Sequence, residues 1–219
     1  MLIAGDFVYQ AAHDPAGAIG LAVELVGPLP AGSIPTYAVL GNHDYATESD
    51  EPRARQRQIA RQLERALETA GVQVLRNEAV ALPPPAPTSG EPPLYLVGVG
   101  EPAAGDDHPL QAIHQVPADA PRIVLMHNPD SFPDLPPGSA PLALAGHTHG
   151  GQIRVPFKKD WGPARLLEPW PQYVDGWLED FGQPGNRLYI NRGIGFSKLP
   201  LRFGCRPELT LFTLRRPAS

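Results

Sequence analysis

Short apolar runs that end in polar turns recur along the chain, and they predict an α/β fold. The runs predict strands over residues 2–4, 36–40, 72–75, 79–82, 94–99, 122–126, 142–145, 152–156, 188–191 and 209–214. A strand, a helix and a second strand follow one another at the start of the chain. This order favours parallel strands that are joined by crossover helices.

Two longer segments carry apolar residues at helical spacing. Residues 15–26 follow Asp14, an N-cap residue, and Pro15 suits the first helical position. The predicted apolar face of this helix is Ala18, Leu21, Ala22 and Leu25. The second helix begins after Ser49 or Asp50 and ends at Gly71. Its predicted apolar face is Ile59, Leu63, Leu67 and Ala70.

The composition fits one globular domain over residues 1–219. The 28 prolines cluster between the predicted elements, which indicates long, stiff loops rather than general disorder. A net charge of -5 argues against general electrostatic binding to nucleic acid. The single cysteine, Cys205, excludes an internal disulfide framework. No apolar run reaches the roughly 18 residues of a membrane span, and no signal peptide is visible, so we leave localisation open between cytoplasmic and membrane-associated.

Polar residues with the chemistry of metal ligands follow four of the predicted strands. These residues are Asp6, the sequence Asn42-His43-Asp44, His127, and the pair His147 and His149. Carboxylate, amide and imidazole groups are ligands of borderline divalent metals such as zinc, manganese or iron. Asp6 alone is equally compatible with a turn cap, and two histidines on a glycine-rich loop could simply be solvated. Because four strand ends carry matching chemistry, we favour an open catalytic metal site.

These motifs resemble, in order and separation, those of the calcineurin-like metallophosphoesterases. The matching segments are Gly5-Asp6, Gly41-Asn42-His43-Asp44, His127 and Gly146-His147-Thr148-His149. Residues 127–130, 146–152, 192–195 and 199–202 extend the match to a bacterial branch that is often membrane-associated or exported. The resemblance implies a sandwich of two mixed β-sheets flanked by helices.

The resemblance also implies roles for individual residues at a dinuclear site of manganese, iron or zinc. Asp6 would bridge two divalent ions, Asn42, His127 and His147 would complete one site, and His149 would belong to the other. His43 would be the general acid, oriented by Asp44. A water between the two cations would be acidified and would attack phosphorus as hydroxide. Arg192 or Arg202 is a candidate for holding a phosphate oxygen, with a structural ion pair as an equal alternative.

One motif of the family, Asp-x-His on the strand before Asp6, is missing from the sequence. That motif supplies two ligands to the metal that His149 shares. We therefore expect an N-terminally incomplete domain that lacks its first strand and has an incomplete second metal site. Any signal or membrane anchor would lie in the missing segment, so membrane contact through that segment stays open.

The sequence is compatible with two functional hypotheses. The first is a hydrolase that cleaves a phosphodiester or pyrophosphate bond in a small, nucleotide-linked or lipid-linked substrate. The second is a truncated or degenerate family member that binds at most one metal and is not catalytic. Metal content and hydrolysis of an aryl phosphodiester distinguish the two.

Overall fold

Two β-sheets flanked by helices make up the protein in the computed structural model, which describes residues 1–9, 11–83, 92–154, 175–178 and 181–215. The first sheet has three parallel strands, β1 (Leu2–Ile3), β2 (Thr36–Ala38) and β3 (Val72–Val74), in that order. The second sheet is mixed and has six strands. They are β4 (Glu78–Ala81), β5 (Tyr95–Gly98), β6 (Arg122–Leu125), β7 (Ala143–Ala145), β8 (Gly176–Leu178) and β9 (Leu188–Ile190).

The order in the second sheet is β4-β5-β6-β7-β9-β8. The four inner strands run parallel, and the two edge strands β4 and β8 run antiparallel to their neighbours. The carboxyl ends of β5, β6, β7 and β9 therefore meet at one edge of the sheet, where ligands bind in α/β folds. This architecture confirms the α/β sandwich of two sheets flanked by helices.

Four α-helices accompany the sheets in the described part of the chain. They are α1 (Pro15–Val26), α2 (Pro28–Ala31), α3 (Arg53–Thr69) and α4 (Pro109–Ile113). Short 3₁₀ turns occupy Pro102–Ala104, Pro129–Asp134 and His149–Gly151. The side chain of Asp14 accepts the N–H of Gly17 at 3.0 Å, which confirms the predicted N-cap of α1.

Successive residues of β2, and of residues 39–40 directly after it, face two different layers of the core. Ala38 and Leu40 pack on the side of α1 and α3, while Val39 between them packs against the second sheet. Leu96 and Val97 divide in the same way between the inter-sheet core and the outer core beside α4. Because successive strand residues face opposite sides, each sheet contributes apolar side chains to a core on both of its faces.

The structure corrects three of the predicted elements. The second helix begins at Arg53 after Pro52, because the Ser49 hydroxyl is engaged with the carbonyl of Ala46 at 2.7 Å instead of capping the helix. Residues 209–214 form no strand among the described residues. In the segment expected as a return strand over 152–156, Ile153 forms one isolated bridge with Phe203, and residues 155–156 lie outside the described residues.

The predicted apolar face of α1 is also only partly buried. Ala22 is buried against the core, whereas Leu21 is 57% exposed and Leu25 is 68% exposed. By contrast, Ile59, Leu63 and Leu67 of α3 are fully buried, as their spacing predicts. The difference arises because α3 packs directly on the first sheet, while α1 packs against α3.

Among the described residues, none of the helices combines the length and the apolarity that crossing a bilayer requires.

Candidate metal centre

Four strand ends converge on one small site. Asp6 follows β1 after Gly5, Asn42 follows β2, His127 follows β6 and His147 follows β7. Their ligand atoms are Oδ2 of Asp6, Oδ1 of Asn42, Nε2 of His127 and Nδ1 of His147. The sequence predicted these four residues as ligands, and the structure brings them together.

The spacing of these atoms suits a divalent metal. Nε2 of His127 lies 3.2 Å from Asp6 Oδ2, 3.1 Å from Asn42 Oδ1 and 3.1 Å from His147 Nδ1. The Asn42 Oδ1 to His147 Nδ1 distance is 3.0 Å. Metal–ligand bonds of about 2.0–2.2 Å place neighbouring ligand atoms about 3 Å apart. Asp6, His127 and His147 form a possible three-residue metal-binding group.

Hydrogen bonding leaves these atoms as acceptors that face one another. Nδ1 of His127 lies 2.5 Å from the carbonyl oxygen of Ala4, so it is the nitrogen that carries the proton of the neutral ring. Nε2 then presents a lone pair toward Asn42 Oδ1, which is also an acceptor. A carbonyl that fixes the tautomer in this way is the usual support of a metal-binding histidine. The residues therefore fit a bound cation.

The pKa shifts at the site indicate that positive charge is favoured beside Asp6. Burial alone would raise the pKa of Asp6, but His127 lowers it by charge and hydrogen bond, and the net shift is downward. Burial would lower the pKa of His127, yet Asp6 outweighs it and raises that pKa to about 9. Burial, followed by the charge of His127, lowers the pKa of His147 to about 3. The buried carboxylate of Asp6 is therefore ionised and needs positive charge beside it, which a proton on His127 supplies in the absence of a metal and a bound cation would replace.

Glycine at position 41 lets the side chains of Asp6 and His127 lie close to the backbone of the turn that carries Asn42. A Cβ on Gly41 would lie 2.2 Å from Oδ1 of Asp6 and 2.7 Å from Nδ1 of His127. Both distances are far below van der Waals contact, so a side chain at this position would displace two ligands. The turn that delivers Asn42 therefore needs glycine at its first position.

Three of the polar site residues adopt left-handed backbone conformations. The φ angles are +57° for Asp6, +69° for His147 and +51° for His149. Such conformations cost free energy for residues other than glycine and concentrate at functional sites. They also show that His147 and His149 lie on a tight turn rather than on an extended segment, so strand alternation does not set the directions of their side chains.

The fully buried carboxylate of Asp44 ties the first two ligand loops together. Its Oδ2 accepts the N–H groups of Asp6 at 2.9 Å and Gly41 at 2.8 Å. Its Oδ1 accepts those of Phe7 at 2.8 Å and Val8 at 3.2 Å. Burial raises the pKa of Asp44 to about 7, with the charge of Asp6 acting in the same direction. The four N–H donors nevertheless fit the ionised form.

His43 lies beside the metal ligands but contacts a different carboxylate. Its Nδ1 lies 2.9 Å from Oε1 of Glu48, and its ring packs edge-on against Tyr9 with centroids 5.0 Å apart. Its backbone N–H donates to Asp6 Oδ1 at 3.1 Å. Burial would lower the pKa of His43, but Glu48 and Asp6 outweigh it and the net shift is upward. Among the described residues, the carboxylate in contact with the His43 ring is thus that of Glu48, while Asp44 contacts backbone N–H groups.

Sequence reasoning missed Glu48 because it lies on an irregular turn without a motif. Its spacing of five residues from His43 was the only available signal.

His149 lies outside the group formed by Asp6, His127 and His147. Burial, first among the causes, lowers the pKa of its imidazole. Its carbonyl oxygen accepts from Nη1 of Arg202 at 3.0 Å and from Sγ of Cys205 at 3.4 Å. The turn that carries His149 is therefore held from the C-terminal part of the chain.

The two candidate phosphate-binding arginines both have intramolecular partners. Nε of Arg192 lies 2.6 Å from Oε2 of Glu208, which is the ion pair that the sequence left open as an alternative. Arg202 donates to the carbonyls of His149, Arg192 and Gly195 at 3.0, 2.7 and 2.6 Å. Arg202 thus organises backbone turns beside the metal centre.

Comparison with known proteins identifies relatives of this chain. Over 214 residues, 98% of this chain, it is 35% identical to phosphodiesterase YaeI of Escherichia coli, of which the match covers 69%. It is 43% identical over 94 residues to the uncharacterized metallophosphoesterase YkuE of Bacillus subtilis, covering 42% of this chain and 30% of YkuE. It is 31% identical over 144 residues to UDP-2,3-diacylglucosamine pyrophosphatase LpxG of Chlamydia trachomatis, covering 64% of this chain and 43% of LpxG.

The matches thus span between 30% and 69% of these three relatives' lengths. No family model matches the chain, and no solved structure matches it significantly. The similarity to YaeI over nearly the whole chain agrees with the ligand geometry at the strand ends and with the two-sheet fold. The chain belongs to the calcineurin-like metallophosphoesterase superfamily, whose members are hydrolases that act on phosphate ester bonds.

Proposed function

We propose that this protein is a metal-dependent hydrolase of a phosphodiester or pyrophosphate bond. The observation that carries the proposal is the convergence of four candidate ligand atoms, from Asp6, Asn42, His127 and His147, in which neighbouring atoms lie 3.0–3.2 Å apart. A divalent metal such as manganese, iron or zinc, when held there, would acidify water and neutralise charge on a phosphoryl group. His149 is proposed as a ligand of a second metal.

The protein's own residues supply positioning and a proton in this proposal. The His43 imidazole donates a proton to the departing oxygen, and Glu48 holds the ring through its Nδ1. Asp44 fixes the backbone of the loops that carry Asp6 and Asn42. Similarity to LpxG supports a lipid-linked or nucleotide-linked phosphate substrate as one candidate class.

The test combines metal content with hydrolysis. Protein treated with a chelator is expected to lose activity on an aryl phosphodiester and to regain it with added manganese. His43→Ala is expected to lower the rate about 10²–10⁴-fold while metal content is unchanged. His114→Ala, at an exposed position on the protein surface, serves as the control and is expected to keep full activity. Activity that survives both the chelator and His43→Ala would contradict the proposal.

A second candidate is a non-catalytic metal-binding protein. The observation in its favour is that the described residues contain only one candidate metal-binding group, Asp6 with His127 and His147, with His149 outside it. One bound metal equivalent without hydrolysis would support this candidate. Two equivalents, with hydrolysis, would support the dinuclear phosphoesterase.

A further inference from the structure

A loop of unusual apolarity lies beside the metal centre. This apolar loop, residues 193–203, has five large apolar side chains that are each more than half exposed. They are Ile194, Phe196, Leu199, Leu201 and Phe203. Single exposed apolar residues are normal on a protein surface, but a cluster of five within ten residues marks an interaction surface.

Hydrogen bonds from the side chains of Gln152 and Arg202 hold the backbone of the apolar loop. Gln152 accepts the N–H of Ser197 at 2.6 Å and donates to the carbonyls of Ser197 at 3.0 Å and Leu199 at 2.9 Å. Arg202 donates to the carbonyl of Gly195 at 2.6 Å. These contacts give partners to four backbone groups of the loop, the N–H of Ser197 and the carbonyls of Gly195, Ser197 and Leu199, while the apolar side chains stay exposed. Backbone groups that already have partners can enter an apolar medium without the cost of losing water.

The charge of this region is opposite to that of the whole chain. Residues 193–207 contain Lys198, Arg202 and Arg206 and no acidic residue, whereas the chain carries a net charge of -5. Glu208, the next acidic residue, is paired with Arg192. Lys198 is exposed and stands in the sequence between the exposed residues Phe196 and Leu199. Apolar side chains with basic residues beside them suit a lipid surface that carries negative charge.

The apolar loop is also joined to the turn that carries the metal-site histidines. Arg202 donates to the carbonyl of His149, and the backbone N–H of Phe203 donates to the carbonyl of Gln152 at 3.0 Å. A surface that accepts the loop would therefore lie next to the metal centre.

We propose that the apolar loop inserts into the headgroup and upper acyl region of an anionic phospholipid surface, with Lys198 contacting the lipid phosphates. This lipid contact is separate from hydrolysis and stands without it. If the proposed phosphoesterase activity also holds, the lipid contact brings the metal centre to substrates embedded in that surface.

Vesicle co-sedimentation of the whole chain tests the proposal without measuring hydrolysis. The chain is expected to sediment with vesicles of equal parts phosphatidylglycerol and phosphatidylcholine, and to sediment weakly with pure phosphatidylcholine. The double variant Phe196→Ser/Leu199→Ser is expected to weaken binding about tenfold or more, because two exposed apolar side chains that would enter the lipid are lost. Lys198→Gln is expected to weaken binding to the anionic vesicles about fivefold, and high salt is expected to act in the same direction.

Leu25→Ser is the matched control, because Leu25 on α1 and Ile194 on the apolar loop are both 68% exposed. This variant is expected to bind vesicles like the unaltered chain. Circular dichroism of every variant checks that the fold is retained. The proposal is overturned if the unaltered chain ignores anionic vesicles or if the double variant binds them equally well. It is also overturned if light scattering shows a dimer that the double variant separates, since the loop would then be a protein interface.

Discussion

The carboxylate of Asp44 accepts the backbone N–H of Asp6 at 2.9 Å, across 38 residues of sequence. Asp44 thus fixes the loop that carries Asp6, although Asp44 is not one of the four candidate ligands. Asp44 accepts three further N–H groups, from Phe7, Val8 and Gly41. The geometry of the metal centre consequently depends on a buried anion behind it.

Asp44→Asn is expected to weaken metal binding about 10–100-fold, as loss of a supporting interaction usually does. An amide offers one acceptor oxygen, and its NH₂ group would oppose two of the four N–H donors. Metal affinity measured by competition with a chromogenic chelator checks the expectation. Asp50→Asn is the control, because Asp50 is exposed on the neighbouring turn. Equal metal affinity in both variants would show that the Asp44 anion does not support the site.

Gly41→Ala and Gly20→Ala are expected to have opposite effects. At Gly41 the added methyl group would collide with Asp6 and His127, so metal binding and activity should be lost. At Gly20, inside α1, a Cβ meets nothing within 4 Å. The second change should raise the free energy of unfolding by about 0.5–1 kcal/mol through helix propensity. Metal content and urea unfolding measure the two outcomes, and a Gly41→Ala variant with full metal content would refute the first.

Arg202→Lys is expected to lower phosphodiester hydrolysis about 10–100-fold while the metal at Asp6, His127 and His147 is retained. An ammonium group cannot replace a planar fork that reaches the carbonyls of His149, Arg192 and Gly195. The turn of His149 should loosen, which hydrogen exchange over residues 147–152 would detect. Arg206→Lys, at an exposed position, is the control. If hydrogen exchange and activity are unchanged in Arg202→Lys, Arg202 does not organise the turn of His149.

Glu208 is expected to stabilise the fold above pH 4.5 and to lose that effect in acid. Burial would raise the pKa of its carboxyl, but hydrogen bonds from Thr210, Tyr189 and Arg192 lower it from 4.5 to about 2. A folded-state pKa below the unfolded value contributes stability above the unfolded pKa and loses it as pH falls through the folded one. The stability difference between the unaltered chain and Glu208→Gln should therefore shrink from pH 4.5 toward pH 2. Urea unfolding across this range measures it, and a difference that is constant with pH would contradict the assignment.

The sequence alone determined the elements and the chemistry that depend on neighbouring residues. Apolar runs located every described strand except β8, although the strand predicted over residues 209–214 does not form, and α1 begins where Asp14 and Pro15 indicate. The ligand types at the strand ends were also readable, because parallel strands bring their carboxyl ends to one edge. The family resemblance selected Asp6, Asn42, His127 and His147 from these residues as ligands of one metal, and the four meet in the structure.

Only the tertiary structure decided how those ligands are supported. The partner of His43 is Glu48, the partners of Asp44 are backbone N–H groups, and Arg202 holds the His149 turn. Each of these depends on left-handed backbone angles or on contacts between distant segments, which no local pattern encodes. The same is true of the apolar loop, where apolar residues that a sequence pattern would bury are exposed and the loop backbone is hydrogen-bonded to Gln152. Long-range hydrogen bonds, rather than hydrophobic periodicity, set the surroundings of the metal centre.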